Sequence, residues 1–348
     1  MKRRFLIIVV LFIVTGCIIY LNQTKTSGDR LITLAGTTMG TSYHIKLAPA
    51  EDQKLNEASI KSKVDARLAG IDSKMSTYKE NSDVSHFNTY VAGSWMPISA
   101  ETMIVVNAAQ EVSQLSHGAF DITIGNLVNL WGFGPTVNIY EMPDANVIKS
   151  LLPEVGYNKL EVRLSPPGLR KSSDLVYLDL SAIAKGYAVD AIAKLLIDNN
   201  IENFLVEIGG EIVTHGHKQQ QKPWVVGIET PIAGQRSVRK RLHLADVAMA
   251  TSGDYRNYFE HDGVRYSHTI DPATGYPIKH SLVSVTVIDQ SCMRADALAT
   301  AIMVMGPDKG LGFAEKHQLA IFMLVKQGDH FIEKYSRLFE PYLNKEEN

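Results

Sequence analysis

The chain has 348 residues, of which 45% are hydrophobic and 21% are charged, and its formal net charge is −2. This length provides ample core for one large or two ordinary globular domains. The nearly neutral charge argues against a nucleic-acid-binding protein, which would need a strongly basic face. No internal repeat or low-complexity tract is visible in the sequence.

The first residues have the pattern of a targeting segment. Basic residues precede an unbroken apolar run from Phe5 to Val14, and small residues then lead to Cys17. The run is short for a transmembrane helix. Residues 1–16 therefore resemble a bacterial lipoprotein signal peptide, with Cys17 as the lipidated first residue and 17–30 as a polar tether. An uncleaved membrane anchor is the alternative, and both interpretations place the rest of the chain outside the cytoplasm.

In chain order, the N-terminal half begins with two predicted strands between 31 and 47, where hydrophobic residues alternate around a Gly/Thr turn. Helical spacing of apolar residues predicts an amphipathic helix over 55–75. Ser99 and Gly118 have the residue types that begin and end a second helix. Asp121 could cap a further helical segment.

The most informative stretch is Asp179–Asp190, with the sequence DLSAIAKGYAVD. Strand-like residues at 176–178 precede it and an Ala-rich run of helical period follows, which predicts a strand, a tight turn and a helix start. The free N–H groups and the positive dipole end at a helix start favour binding of a phosphate, and Lys185 adds a positive charge nearby. Asp179 could accept hydrogen bonds from a ligand ring or sugar. The alternative is an ordinary capped helix with a solvated lysine.

The C-terminal half alternates predicted strands with two helices, at 295–305 and 308–317. The predicted strands are 204–208, 224–228, 283–288, 319–325 and 330–335, with a hairpin turn at Asp262-Gly263. Asp296 and Thr300 are spaced i, i+4 and therefore share one face of a helix. A carboxylate and a hydroxyl suit Mg²⁺ better than Zn²⁺, and a bare carboxylate in these apolar surroundings would be costly.

Eight motifs together resemble the ApbE family of FAD:protein FMN transferases, in consistent order from about residue 31 to 335. The motifs are GTTMGT at 36–41, STY at 76–78, GAFD at 118–121, DLSAIAKGYAVD at 179–190, EIGGE at 207–211, ATSGDY at 250–255, HTIDPATG at 268–275 and ADALATA at 295–301. The resemblance implies an α+β fold of the T-fold-like kind, with mixed or antiparallel sheets and flanking helices. This domain would span 31–343, and a division into two closely packed lobes is one possible arrangement of it.

The resemblance also implies a Mg²⁺-dependent reaction. The pyrophosphate of FAD is cleaved, FMN is joined through a phosphoester to a threonine or serine of a partner protein, and AMP leaves. The partners in this family are redox subunits of the sodium-pumping NADH:quinone reductase and of Rnf-type complexes. The lipid-anchored protein would then lie on the periplasmic side of the cell membrane, and the inner membrane is expected. An FAD pyrophosphatase and a non-catalytic FAD-binding lipoprotein are the alternatives.

The resemblance assigns roles by position. The residues implied to bind FAD are Met39, Tyr78, Ala119, Phe120, Asp121, Asp179, Lys185 and Ile270. Asp296, Thr300 and the main-chain carbonyl of Ala182 would bind Mg²⁺. The attacking hydroxyl is a weak nucleophile and needs a general base. His268 is the candidate for that base and Asp271 is the runner-up.

Overall fold

The structure is a computed structural model that describes residues 31–135, 142–218, 221–231, 237–254, 258–261 and 264–343. The predicted signal peptide and tether, including Cys17, lie outside these ranges. Within the described ranges, no helix combines the length and the apolar character that are needed to cross a bilayer.

Helices and strands alternate along most of the chain. The α-helices are α1 (Glu57–Met75), α2 (Asp83–Thr89), α3 (Ala100–Leu115), α4 (Gly125–Leu130), α5 (Ala145–Leu151), α6 (Ala184–Asp198), α7 (Cys292–Met305), α8 (Pro307–Lys316) and α9 (Glu340–Leu343). The strands are β1 (Ile32–Thr38), β2 (Thr41–Leu47), β3 (Met96–Pro97), β4 (Leu160–Leu164), β5 (Pro167–Lys171), β6 (Phe204–Ile208), β7 (Glu211–His215), β8 (Trp224–Glu229), β9 (Val238–Leu244), β10 (Val247–Gly253), β11 (Tyr258–His261), β12 (Val264–Ser267), β13 (Leu282–Asp289), β14 (Ala320–Gln327) and β15 (His330–Tyr335).

An eight-stranded antiparallel sheet forms the centre of the fold, in the order β1-β2-β6-β7-β10-β13-β14-β15. Smaller sheets pair β3-β5-β4, β8-β9 and β11-β12. The prediction of an α+β fold with antiparallel sheets and flanking helices is therefore confirmed.

The central strands of the large sheet are covered on both faces, whereas β1 and β2 expose every second residue on one face. On one face, helices α1, α3, α6 and α7 bury the main core, which includes Val206 of β6. On the other face, Leu205 packs with the β8–β9 hairpin and the C-terminal segment around Trp224 and Phe339. Strands buried on both faces leave the ends of the sheet, rather than its surface, available for a ligand.

A third cluster of buried residues joins the segment around α4 to the loop that follows β12. Trp131 is its centre: the ring stacks on Tyr266 with centroids 5.8 Å apart, and Nε1 donates to the carbonyl oxygen of Gly275 at 2.9 Å. Ile270 packs in the same cluster. This packing fixes the 268–277 loop beside the 119–133 segment.

Helices α6 and α7 cross closely near their first turns. A Cβ atom on Gly186 would lie 2.4 Å from the carbonyl oxygen of Cys292, so only glycine permits this approach. The Gly186 N–H donates to Asp296 Oδ2 at 3.0 Å, and the Asp190 carboxylate accepts from the N–H groups of Cys292 and Met293 at 2.9 and 3.0 Å. Each helix thus supplies the carboxylate that satisfies free N–H groups at the start of the other.

Two local predictions are wrong. Residues 176–178 form only a single parallel bridge between Tyr177 and Ile124, not a strand. Asp121 does not cap α4, which begins at Gly125 without a side-chain cap. The carboxylate of Asp121 is engaged elsewhere, as described below.

Candidate active site

A cavity of about 650 Å³ lies beside the end of the large sheet, between the starts of α6 and α7 and the 119–133 segment. Its volume is in the range of small-molecule sites. Most of the predicted site residues line it. They are Ala119, Phe120, Asp121, Asp179, Ala182, Lys185, His268, Ile270, Asp296 and Thr300. The fold therefore brings these residues to one place, and their individual roles stay predictions.

Three predicted residues are not among those that line the cavity. Met39 sits at the tip of the β1–β2 hairpin with a φ of 49° and packs partly against the main core. Tyr78 lies in the turn after α1 and is 70% exposed. The Asp271 carboxylate accepts from the Ala273 N–H at 2.9 Å within its own loop. We therefore keep His268, not Asp271, as the candidate base.

Asp121 is buried and is hydrogen-bonded by the protein itself. Its carboxylate accepts from the Thr123 N–H at 2.8 Å, from the Thr123 hydroxyl at 2.6 Å and from the Tyr157 N–H at 2.7 Å. Burial raises the pKa of Asp121, and the hydrogen bonds partly offset that rise. The side chain thus holds the cavity wall together. A contact with FAD would have to share an oxygen that already accepts a hydrogen bond.

Asp179 is fixed at the point where the chain turns into α6. Its N–H donates to the carbonyl oxygen of Ile122 at 2.8 Å, which places it beside the 119–122 segment. Its carboxylate accepts from the Ser181 N–H at 2.8 Å and so stabilises the turn. The two motifs that contain Asp121 and Asp179 are therefore neighbours in space.

A lysine ammonium lies near two buried carboxylates in this cavity. Lys185 Nζ is 2.8 Å from Glu211 Oε1 and 3.7 Å from Asp296 Oδ1, and these carboxylate side chains are 3% and 8% exposed. Burial opposes the charge on Lys185, but Asp296 and Glu211 outweigh burial and raise the pKa of the lysine above its usual value. Lys185 therefore remains a cation at neutral pH. The alternative of a solvated lysine on an ordinary helix is wrong.

Sequence reasoning missed Glu211 as a site residue. It begins β7 directly after Gly209 and Gly210, which adopt φ values of 64° and 108° that favour glycine. Among the residues that the structure describes, its buried Oε2 atom has no hydrogen-bond partner. The signal in the sequence was the EIGGE motif, whose second glutamate has no local partner to suggest a role.

Glu211 leads to a prediction about stability and pH. Burial raises the pKa of Glu211 to about 7, although Lys185 pulls it down, from an ordinary value of 4.5. The pKa of Glu211 is higher in the folded protein than in the unfolded chain, so folding favours the protonated carboxyl. Its contribution to stability is complete at pH values below the unfolded-state pKa and is lost as pH rises through about 7. Relative to Glu211→Gln, we expect the free energy of unfolding of the wild type to fall by on the order of 1–3 kcal/mol across this window. Urea denaturation of both proteins at several pH values measures this difference. The prediction is contradicted if the free energy of unfolding depends on pH in the same way in both proteins.

The side-chain oxygens that α7 presents to the cavity are of the kind that Mg²⁺ prefers as ligands. Asp296 and Thr300 line the cavity together with Ala182, and the Thr300 hydroxyl lies 3.5 Å from the hydroxyl of Ser252 on β10. Among the residues that the structure describes, no group of three or more His, Cys, Asp or Glu side chains could hold a metal. A metal here would therefore depend on hydroxyl and main-chain oxygens as well as Asp296, so Mg²⁺ binding stays a prediction.

His268 lies where the chain leaves β12. Its ring packs edge-on against Phe133, with centroids 6.2 Å apart, and it lines the cavity. The next residue, Thr269, is buried and is held by hydrogen bonds to the Ser267 hydroxyl at 3.1 Å and to the Ile278 N–H at 3.0 Å. These hydrogen bonds fix the backbone directly after His268, the candidate base.

Comparison with known proteins agrees with this architecture. Residues 39–323 match the model of the ApbE family. The chain belongs to the ApbE family. It is 44% identical to a protein named FAD:protein FMN transferase from Vibrio cholerae, over 90% of this chain and 92% of that one. It is 36% identical to the protein of the same name from Escherichia coli K12, over 96% of this chain and 95% of that one.

Solved structures of the ApbE family have the same fold. The flavin transferase ApbE from Vibrio cholerae superposes with a TM-score of 0.83 at 42% identity, covering 90% of this chain and 99% of that one. The apo form of the flavinyl transferase ApbE from Pseudomonas stutzeri superposes with a TM-score of 0.82 at 40% identity, covering 90% of this chain and 97% of that one. This ApbE-family protein is accordingly an enzyme of the transferase class.

Proposed function

We propose that the chain is an FAD:protein FMN transferase. It cleaves the pyrophosphate of FAD, joins FMN through a phosphoester to a threonine or serine of a partner protein, and releases AMP. The observation that carries the proposal is the cavity in which Lys185, two buried carboxylates and His268 meet, in a chain 44% identical to a protein of that name.

Lys185 is suited to the pyrophosphate of FAD. Its ammonium stays charged and lies beside two carboxylates that are almost fully buried, where a charge interacts strongly. Asp296, Thr300 and the main-chain carbonyl of Ala182 would hold Mg²⁺. Such an ion neutralises pyrophosphate charge and makes the phosphorus more electrophilic.

In this mechanism His268 accepts the proton of the acceptor hydroxyl as its oxygen attacks the phosphorus next to the FMN portion. The bond from that phosphorus to the bridging oxygen breaks, and AMP carries that oxygen away. A positioned base of this kind contributes about 10²- to 10⁴-fold to a rate.

We therefore expect His268→Gly to lower the rate of FMN transfer by about 10²- to 10⁴-fold, because the acceptor hydroxyl then lacks a base. Binding of FAD, followed by flavin fluorescence, should change little. Added imidazole should restore part of the rate, since it can occupy the space that the side chain leaves. A variant with the wild-type transfer rate would place the base elsewhere.

The test of the function is a reaction of the full chain, purified in detergent, with FAD, Mg²⁺ and an acceptor flavoprotein domain. We expect the acceptor to gain the mass of one FMN on a threonine or serine, and EDTA to abolish the gain. Release of AMP and free FMN without a labelled acceptor would instead favour an FAD pyrophosphatase. Intact bound FAD with a competent acceptor would favour a binding protein.

On the strength of the resemblance, we propose as partners the redox subunits of a sodium-pumping NADH:quinone reductase or an Rnf-type complex. We also propose a lipid anchor at Cys17 that holds the enzyme on the periplasmic side of the inner membrane. Mass spectrometry of the N-terminal peptide from the membrane fraction would reveal acyl groups on Cys17. An unmodified Cys17 within an intact N-terminus would favour an uncleaved anchor.

A further inference from the structure

Lys185, at the start of α6, lies near both buried carboxylates but forms a hydrogen bond with only one of them. The Lys185 Nζ to Glu211 Oε1 distance of 2.8 Å is a charge-assisted hydrogen bond. The 3.7 Å from Nζ to Asp296 Oδ1 is too long for one. In this arrangement Lys185 therefore forms its hydrogen-bonded ion pair with Glu211 and not with Asp296.

The two carboxylate oxygens of Asp296 differ in what they can offer a cation. Its Oδ2 already accepts from the Gly186 N–H at 3.0 Å, and this bond is part of the α6–α7 crossing. The remaining oxygen, Oδ1, is the one that faces Lys185. The lysine ammonium and a divalent cation would thus compete for the same oxygen atom.

The position of Glu211 is fixed by the tight turn before it. A Cβ atom on Gly209 would lie 3.0 Å from Thr41 Cγ2 and 3.3 Å from Glu211 Oε2, so the glycine leaves room for the glutamate beneath the turn. The β6–β7 pairing places Glu211 opposite Ile208 in the central sheet. A glutamate whose backbone is fixed in this way can determine where the flexible lysine side chain lies.

We propose that Glu211 is a positioning residue that holds Lys185 off Asp296 and so keeps Asp296 Oδ1 available to a divalent cation. This inference rests on the proposed metal-dependent function. Without Glu211, Asp296 would be the nearest counter-ion of the lysine among the residues that the structure describes. The two would form a neutral pair, and a cation would have to displace the ammonium from its remaining partner.

Binding of Mn²⁺, a paramagnetic substitute for Mg²⁺, tests the proposal without any turnover. The free ion is measured by electron paramagnetic resonance in titrations of the full chain at about pH 8, which is above both the raised pKa of Glu211 and ordinary carboxyl pKa values. The four proteins are the wild type, Glu211→Gln, Lys185→Met and the double variant. Glu161→Gln is the matched control, because it removes an exposed carboxylate that pairs with Arg170 on the three-stranded sheet.

We expect Glu211→Gln to weaken Mn²⁺ binding by about 10- to 100-fold, as is usual for residues that support a metal ligand. Lys185→Met should bind Mn²⁺ at least as tightly as the wild type, because the competitor is gone. In the Lys185→Met background, Glu211→Gln should weaken binding by only about threefold, since no lysine remains to be positioned. Glu161→Gln should leave binding unchanged.

Two results would overturn the role of Glu211. An equal loss in both backgrounds would mean that Glu211 acts on the ion itself, and no loss in either would mean that it does not act at all. If Glu211→Gln does not fold, Glu211→Asp takes its place, because the shorter side chain lengthens the contact with Lys185. If the wild type itself binds no Mn²⁺, the proposed metal-dependent function fails as well.

Discussion

Replacement of Asp296 by asparagine is expected to lower FMN transfer by about 10³-fold while the protein remains folded. The amide oxygen can still accept from the Gly186 N–H, which the carboxylate contacts at 3.0 Å. The negative charge that partly balances Lys185 and that would attract a cation is lost. Initial rates of FMN incorporation, measured by mass spectrometry, and thermal unfolding of the same preparation check the two halves of this expectation.

Asp296→Ala provides the comparison. It removes the hydrogen bond as well as the charge, and an unsatisfied buried N–H costs about 1–3 kcal/mol. The alanine variant should therefore be as inactive as the asparagine variant and also less stable. Transfer at the native rate by Asp296→Asn would show that the charge is not required.

Replacement of Gly186 by alanine is expected to lower the free energy of unfolding by about 3 kcal/mol and to abolish transfer. The new Cβ would lie 2.4 Å from the carbonyl oxygen of Cys292 and 2.7 Å from Met293 Cα. These are backbone atoms of α7, so relief requires the two helices to separate. Their separation would pull Asp296 away from the Gly186 N–H, since that bond spans the crossing. Urea denaturation and the transfer assay measure both effects.

Gly312→Ala is the matched control for this substitution. Gly312 lies within α8 (Pro307–Lys316), and a Cβ there would have no described atom within 4 Å. Alanine is the better helix former, so this variant should gain up to about 1 kcal/mol of stability and retain its activity. If both glycine variants behaved alike, the crowding at Gly186 would not be the cause of the loss.

The parts of the fold that could be predicted are those with local signals. Ser99 accepts from the Thr102 N–H at 3.2 Å at the start of α3, as its residue type predicts. The helical period over 55–75 corresponds to α1. Predictions failed where distant contacts decide. Asp121 has a capping side chain, but its oxygens are taken by Thr123 and by Tyr157, whose N–H comes from a separate segment.

The candidate site divides in the same way. Asp296 and Thr300 could be placed together because i, i+4 spacing on a helix is a local property. The pairing of Lys185 with Glu211 could not, because it depends on how α6 packs against the β6–β7 hairpin. No spacing rule connects a residue in the first turn of a helix with the first residue of a later strand. Glu211 therefore emerges as a site residue only from the three-dimensional arrangement.

The connectivity of the central sheet has a consequence for the order in which the enzyme is made. β2 pairs with β6, with Tyr43 opposite Ile208, so strands that are neighbours in space are far apart along the chain. Thr41, Glu211 and Thr300 all line the cavity. A ribosome therefore releases Thr41 long before the strand that pairs with β2 exists, and Thr300 follows later still. Closure over such separations slows folding. We expect nascent fragments that end before α7 to have no substrate cavity, so flavin binding begins only when synthesis is nearly complete.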